Sequence, residues 1–224
     1  MSVRFRAVLF DLDGTLTPVR SVWQYIHEAL GEWQGEAEQH QGAFRGGAIT
    51  YEEFCARDAA HWKGRREADL RAIADGIPYR RQVKQAMAVV RATGALAGVV
   101  STGLTLLAER VHLELDLAFT IANRLVALRG VLTGEVKVNV EHGRKEEAVD
   151  LFCRQFGVEP RDIISVGDSE GDISMFGRTG YSVAFNPVGQ RTAHAASLVH
   201  RGDSILDLVA RLPLPGLGRH REEA

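Results

Sequence analysis

The sequence predicts an α/β protein in which a doubly wound parallel sheet carries a small helical unit inserted after its first strand. Three observations predict it. Short apolar runs end abruptly in polar residues, helical patterns alternate with those runs from about Arg81 onward, and residues 17–77 break the alternation. Strands buried on both faces read as continuous apolar runs, and strand–helix alternation marks a parallel sheet.

The first run, Phe5-Arg6-Ala7-Val8-Leu9-Phe10, stops at Asp11. Residues 17–77 hold all three Trp, several Gly and no convincing strand, so they read as helices at 22–32, 37–44, 51–61 and 67–74, with Thr50 as an N-cap and Pro78 marking the return to the core. A helix at 81–91, with Val83, Met87 and Val90 on one face, precedes the strand Ala97-Gly98-Val99-Val100. That strand ends at Ser101-Thr102-Gly103, before a helix at 104–113. Alternating residues 123–136 around Arg129-Gly130 read as a β-hairpin. A helix at 145–156 leads to Ile163-Ile164-Ser165-Val166, which ends at Gly167-Asp168, and Tyr181-Ser182-Val183-Ala184-Phe185 ends at Asn186-Pro187. Residues 213–224, rich in Pro, Gly and charge, read as a mobile tail. The expected division is a doubly wound (Rossmann-like) core at 1–16 and 78–212, a helical cap at 17–77, and the tail.

The chain of 224 residues has room for one domain plus an insert, and its apolar (45%) and charged (25%) fractions are those of a folded globular protein. With 27 Lys and Arg against 29 Asp and Glu, it lacks the basic footprint that nucleic acid or an anionic membrane surface would require, so a small-molecule partner is expected. No apolar run reaches the ~18 residues of a membrane helix and no signal-peptide pattern is seen, which makes the cytoplasm the expected location. Cys55 and Cys153 stand alone, outside any disulfide or zinc spacing. Oligomeric state is not legible in the sequence.

Ligands of a doubly wound sheet bind beyond the carboxyl ends of its strands, where this sequence collects its polar residues. Asp11 and Asp13 place two acidic groups at the end of a buried strand, an arrangement that is costly without a cation. A hard divalent ion with oxygen ligands, magnesium above all, would neutralise them and grip a substrate phosphate. Gly14 permits the tight turn that follows. Asp168 and Asp172, in Gly167-Asp168-Ser169-Glu170-Gly171-Asp172, raise the acidic cluster to four. Ser101 and Thr102 offer hydroxyls and backbone N–H groups for a phosphate at a helix N-terminus, and Lys145 would supply a cation. Taken singly, each has an ordinary reading as a solvated acidic loop, a helix cap or a surface lysine.

Asp11-Leu12-Asp13-Gly14-Thr15, Ser101-Thr102-Gly103, Lys145 and Gly167 to Asp172 occur in the order and spacing of the haloacid dehalogenase superfamily of phosphohydrolases. Through Ala122-Asn123-Arg124-Leu125, Leu132-Thr133-Gly134, Asp172-Ile173-Ser174-Met175-Phe176 and Ala184-Phe185-Asn186, over about residues 4–205, the chain resembles the phosphoserine phosphatase group. The resemblance implies that Asp11 attacks phosphorus while Asp13 protonates the leaving alcohol and then activates water against the aspartyl phosphate. It implies that magnesium is held by the Asp11 side chain, the Asp13 main-chain carbonyl and Asp168, with Asp172 in support, and that Ser101 and Lys145 bind the transferring phosphoryl group. It further implies that the helical unit is a cap closing over substrate.

Three positions depart from the group. Nine residues after Asp11, where a Glu contacts the substrate ammonium, stands Arg20; where an Arg contacts the substrate carboxylate stand Asp58 and its neighbour Arg57; and Gly171 replaces an Asn near the phosphate. Arg20 is therefore a candidate specificity residue for an anionic or polyhydroxylated substrate, and phosphoserine is not expected to be preferred. The sequence does not separate a phosphohydrolase from a phosphotransferase that hands the group to an acceptor alcohol. A catalytically silent binding protein would be expected to have lost Asp11 or Asp13.

Overall fold

A computed structural model describes residues 5–217. Seven strands form one sheet in the order β4-β3-β2-β1-β5-β6-β7. They are β1 (Ala7–Phe10), β2 (Leu96–Leu104), β3 (Phe119–Leu128), β4 (Val131–Lys137), β5 (Ile163–Gly167), β6 (Tyr181–Phe185) and β7 (Leu198–His200). Every pairing is parallel except β3 with β4. Strand β1 lies at the centre, with Phe10 opposite Val99 of β2 and Val166 of β5, so all three strands deliver their carboxyl ends to one edge.

The period-two alternation of β1 divides the core. Val8 and Phe10 face one layer with Val83, Met87 and Val90 of helix α5 (Val83–Ala92) and Leu107 and Val111 of α6 (Thr105–Leu115). Ala7 and Leu9 face the other, with Val149 and Phe152 of α7 (Glu146–Phe156) and Met175 of α8 (Ile173–Arg178). Helices on both faces of a mostly parallel sheet make the fold doubly wound, as the sequence predicts. Short helices α9 (Gln190–Ala195) and α10 (Ile205–Val209) complete the C-terminal part.

Between β1 and α5 lie α1 (Val22–Ala29), α2 (Glu38–Arg45), α3 (Tyr51–His61) and α4 (Glu67–Asp75). Ser21 caps α1 by accepting from the Gln24 N–H, and Thr50 and Glu53 form a reciprocal capping box on α3. Trp23, Ile26, Phe54, Trp62 and Leu70 are buried in a cluster continuous with the α5 layer of the sheet. The helical segment is thus fused to the core on one side rather than packed as an independent globule.

Four local expectations change. The first helix ends at Ala29 rather than at position 32, followed by Gly31 at φ +71°, and 33–37 is an irregular turn with Gly35 at φ +116°, so the second helix starts at Glu38. Strand β2 runs on to Leu104 instead of ending at Val100, so the helix after it starts at Thr105, whereas the hairpin ladder, from Arg124–Lys137 to Leu128–Val131, falls on the expected segment, with turn residues Arg129 and Gly130 at positive φ (53° and 79°) as in a two-residue turn that follows strand twist. Strand β7 and helices α8, α9 and α10 were not legible beforehand. The tail does not leave the fold at 213, because Leu214 is buried in the core; residues 218–224 of that expected tail lie outside the described residues. Among the described residues, no helix is long and apolar enough to cross a membrane.

Candidate active site

Asp11 follows the last residue of β1, with its backbone N–H donating to Val166 O at 2.8 Å, which fixes the carboxylate between β1 and β5. The chain then turns so tightly that the N–H groups of Leu16 and Thr17 both reach Leu12 O. Gly14 is required on two counts: its φ is +88°, and a Cβ there would lie 2.4 Å from Asp168 Oδ2. The turn brings Asp13 back over the strand end, where its Oδ2 accepts from the Val22 N–H at 2.9 Å, in the first turn of α1. Asp13 Oδ1 is buried without a partner.

On the other side of β1, Lys145 at the head of α7 is buried, and its Nζ donates to Asp11 Oδ1 at 2.5 Å and Asp172 Oδ1 at 2.6 Å. Asp172 is held in turn by the Asp168 N–H (3.0 Å), the Ser169 N–H (2.9 Å) and the Ser169 hydroxyl (3.1 Å), all on Oδ2. This close approach depends on Gly167, where a Cβ would fall 2.3 Å from Asp172 Cγ. Asp11, Asp168 and Asp172 bring carboxylate oxygens within 4.8 Å of one another, and Asp168 Oδ1 is buried and unpaired. An oxygen-only donor set with an orphaned carboxylate oxygen fits a hard divalent cation. The Asp13 side chain is not in that trio.

Electrostatics follow from this crowding. Burial raises the Asp11 carboxyl well above the usual range, against the lowering effect of Lys145. Burial pushes Asp13 up to about 6, opposed by the hydrogen bond from Val22. Asp168 is raised to about 7, by burial first and by the neighbouring Asp172 second. Burial alone would pull the Lys145 ammonium down, but Asp11 and Asp172 together outweigh it and hold it above its ordinary value. The site thus carries excess negative charge that a cation would relieve.

The carboxyl-terminal part of β2 supplies the facing wall. Ser101 is buried, and its Oγ accepts from the Gly103 N–H at 2.9 Å. Thr102 contributes chiefly its carbonyl, which accepts from Trp23 Nε1 (3.3 Å), the Tyr51 hydroxyl (2.6 Å) and Asn123 Nδ2 (3.0 Å). Asn123 is itself clamped, with Oδ1 accepting from the Asn139 and Val140 N–H groups. Asn123 thereby locks the Ser101–Gly103 end of β2 to β3, a role that sequence reasoning did not assign.

Arg20 lines the same cavity, but its Nη1 donates to Asp168 Oδ2 at 2.7 Å, so its charge is committed to a carboxylate of the acidic cluster rather than free for a ligand. Asp58 and Arg57 are not on the cavity: Asp58 is fully buried inside the helical segment, 3.5 Å from His27 Nε2 and from His40 Nδ1, and Arg57 is exposed. The third departure has a structural counterpart. A Cβ on Gly171 would lie 2.8 Å from His142 Cε1, so His142 fills the space that a side chain at 171 would take. Its imidazole is held below its ordinary pKa by burial and by Lys145, which keeps it neutral. No residue-type pattern points to His142; its only trace in the sequence is the missing side chain at 171.

Asp11, Asp13, Arg20, His142, Lys145 and Asp168 line a cavity of about 680 Å³ between the sheet edge and the helical segment. A sequence profile of haloacid dehalogenase-like hydrolases matches residues 8–177, the span from β1 through α8 that supplies every group described above. The chain belongs to this family. Within it the chain is phosphoserine phosphatase-like: it is 29% identical over 219 residues to a phosphoserine phosphatase of Polaromonas sp. (92% of this chain, 90% of the relative). It is 30% identical over 197 residues to phosphoserine phosphatase SerB2 of Mycobacterium tuberculosis, covering 87% of this chain but 48% of that longer protein. Its fold is shared with a phosphoserine phosphatase solved as an analogue of the phospho-aspartyl intermediate (TM-score 0.80, 22% identity, 93% of this chain and 99% of that one).

Proposed function

We propose that the protein is a magnesium-dependent phosphomonoester hydrolase acting through an aspartyl phosphate on a small phosphorylated metabolite. The observation that carries this reading is Asp11 at the end of β1, 2.5 Å from buried Lys145 and grouped with Asp168 and Asp172, with Asp13 two residues further on. An Asp11 carboxylate oxygen attacks phosphorus and the bond from phosphorus to the leaving oxygen breaks. Asp13 gives its proton to that oxygen, and its carboxyl near 6 suits the task at neutral pH. Asp13 then takes a proton from water as the water oxygen attacks phosphorus, releasing phosphate and restoring the Asp11 carboxylate. Ser101 and Thr102, from the carboxyl-terminal part of β2, and Lys145 orient the transferring group. Asp11, Asp168, Asp172 and the Asp13 carbonyl would hold the cation, which when bound supplies charge neutralisation at the phosphoryl group.

Helices α1 to α4 act as a cap in this reading, sheltering the aspartyl phosphate from bulk water. Phosphoserine is not the preferred substrate: no cavity residue from the helical segment is acidic, so the segment offers a substrate ammonium no partner. The test is phosphate release across a broad panel of phosphomonoesters with magnesium, with EDTA, and for Asp11→Asn. Release that needs magnesium and Asp11 is expected. No release from any compound, or undiminished release from Asp11→Asn, overturns the mechanism, and preference for L-phosphoserine by orders of magnitude overturns the substrate clause.

A further inference from the structure

The cavity is divided by charge. Its carboxylates, Asp11, Asp13, Asp168 and Glu170, all belong to the sheet edge, while residues 20–54 contribute none. Its cations differ in whether they are already paired. Lys145 is bound by Asp11 and Asp172, and Arg20 by Asp168, but Arg45 at the end of α2 makes no ion pair among the described residues. Gln41, one helical turn before Arg45, also lines the cavity, so the two project from the same helix face.

Beside Arg45 in the cavity lining stands a group of aromatic rings. The Phe44 ring lies 5.4 Å from those of Tyr51 and Phe54 and 5.3 Å, edge-on, from His142. Two polar groups of this lining are used elsewhere, the Tyr51 hydroxyl and the Trp23 N–H, which both donate to Thr102 O. His142 is held neutral. Tyr51 and Phe54 are nearly covered by their neighbours, so the ring surface left to a ligand is chiefly that of half-buried Phe44, in a cavity whose ~680 Å³ falls in the range of about 300–1,000 Å³ typical of sites for drug-sized ligands.

Resting on the hydrolase reading above, we propose that the leaving group of the substrate is an aromatic alcohol bearing an anionic group at the end remote from the phosphate. Its ring packs on Phe44, and its anion pairs with Arg45, with Gln41 as a second donor. A cationic leaving group has no acidic partner on this side of the cavity, and a small polar one leaves the Phe44 ring uncovered. Arg45 is in this scheme a specificity residue and takes no part in the chemistry.

Matched substrates test it: 4-carboxybenzyl, benzyl and 4-(aminomethyl)benzyl phosphate, which share a benzylic leaving oxygen and differ in remote charge, with the magnesium-loaded full chain. We expect kcat/KM to fall in that order, with about tenfold between the first two, the size of a charge-assisted hydrogen bond. Arg45→Ala collapses the ratio of carboxybenzyl to benzyl phosphate toward one, mostly through KM, and Phe44→Ala lowers kcat/KM for benzyl phosphate relative to ethyl phosphate. Equal rates for the carboxylate and the amine, or a ratio indifferent to Arg45→Ala, overturns the inference and leaves the hydrolase reading standing. Calorimetric binding of non-hydrolysable 4-carboxybenzylphosphonate separates the two in the other direction. Arg45-dependent binding without phosphate release from any ester keeps the ligand class and sinks the hydrolase reading, and absence of binding sinks the ligand class.

Discussion

Replacing Lys145 by Met removes a buried ammonium and keeps most of the volume of its stem. In the wild-type fold this ammonium is 2.5 Å from Asp11 and 2.6 Å from Asp172, and its side chain is only 2% exposed. Truncating one partner of a buried ion pair costs about 3–5 kcal/mol, because the charge left behind has lost both water and its counter-ion. In a chain of this size each kcal/mol moves the melting temperature by roughly 2–4 °C, so a drop of about 6–20 °C is expected for metal-free Lys145→Met at about pH 8. The sign of the pH dependence is set by Asp11. Its folded-state pKa is already raised by burial, and Lys145 is what pulls it down, so the variant raises it further. A carboxyl raised in the fold binds a proton more tightly folded than unfolded, so the deficit shrinks as pH falls toward about 5. Magnesium should recover part of the loss by replacing one cation with another, while phosphate release stays at least about a hundredfold down because the phosphoryl group has lost its cation. The assay is thermal unfolding in EDTA and in magnesium at both pH values. A loss under about 1 kcal/mol at pH 8, or a loss equal at the two pH values, would refute the reasoning that the Asp11–Lys145–Asp172 cluster is held by this one charge.

Metal-free wild-type protein should gain stability as pH falls from about 8 to about 6, since the folded values of Asp168 (about 7) and Asp13 (about 6) lie above the ordinary 3.8, and their penalty is complete only above those values. Magnesium should flatten that slope in a melting series, and a metal-free melting temperature that instead falls over this window would contradict the sign. Asp13→Asn should lower kcat by about 10²–10⁴ while leaving the melting temperature equal or higher, because the variant removes a buried carboxylate; steady-state kinetics and calorimetry check both halves. Gly167→Ala must displace Asp172, whose Cγ would sit 2.3 Å from the new Cβ, and should lose activity and more than about 1 kcal/mol of stability. Gly189→Ala, where a Cβ meets nothing within 4 Å, is the control that should stay near wild type in both assays.

The parts of the fold that were legible share a physical cause. Strands β1, β2, β5 and β6 are buried in the sheet, so each shows an apolar run; Asp11 and Asp168 stand just past the ends of β1 and β5, while β2 runs on through Ser101 to Leu104. What was missed is short or non-local. Strand β7 has three residues on the outer edge of the sheet, and α9 and α10, of six and five residues, are too brief to show a helical face. Leu214 was hidden by composition: its Pro- and Gly-rich surroundings read as a tail, although one apolar side chain suffices to pin it. The pairing of Arg20 with Asp168 joins positions 148 residues apart, and His142 meets Gly171 only because α7 and β5 return the chain to the same edge. Charge and residue type announce such groups; only the fold says which partner takes them.

The short stretch from Arg20 to Val22 has a consequence for anyone wishing to redesign this protein. Arg20 grips Asp168, and the Val22 backbone N–H grips Asp13, so two carboxylates of the acidic centre are steadied by the entrance to the helical segment. Transplanting α1 to α4 from a relative in order to change what the enzyme accepts would also exchange the anchors of Asp13 and Asp168. A chimera joined after Val22 keeps these anchors with the recipient, whereas one joined at residue 17 imports those of the donor. Selectivity and catalytic competence are therefore separable in this scaffold only on the C-terminal side of that junction.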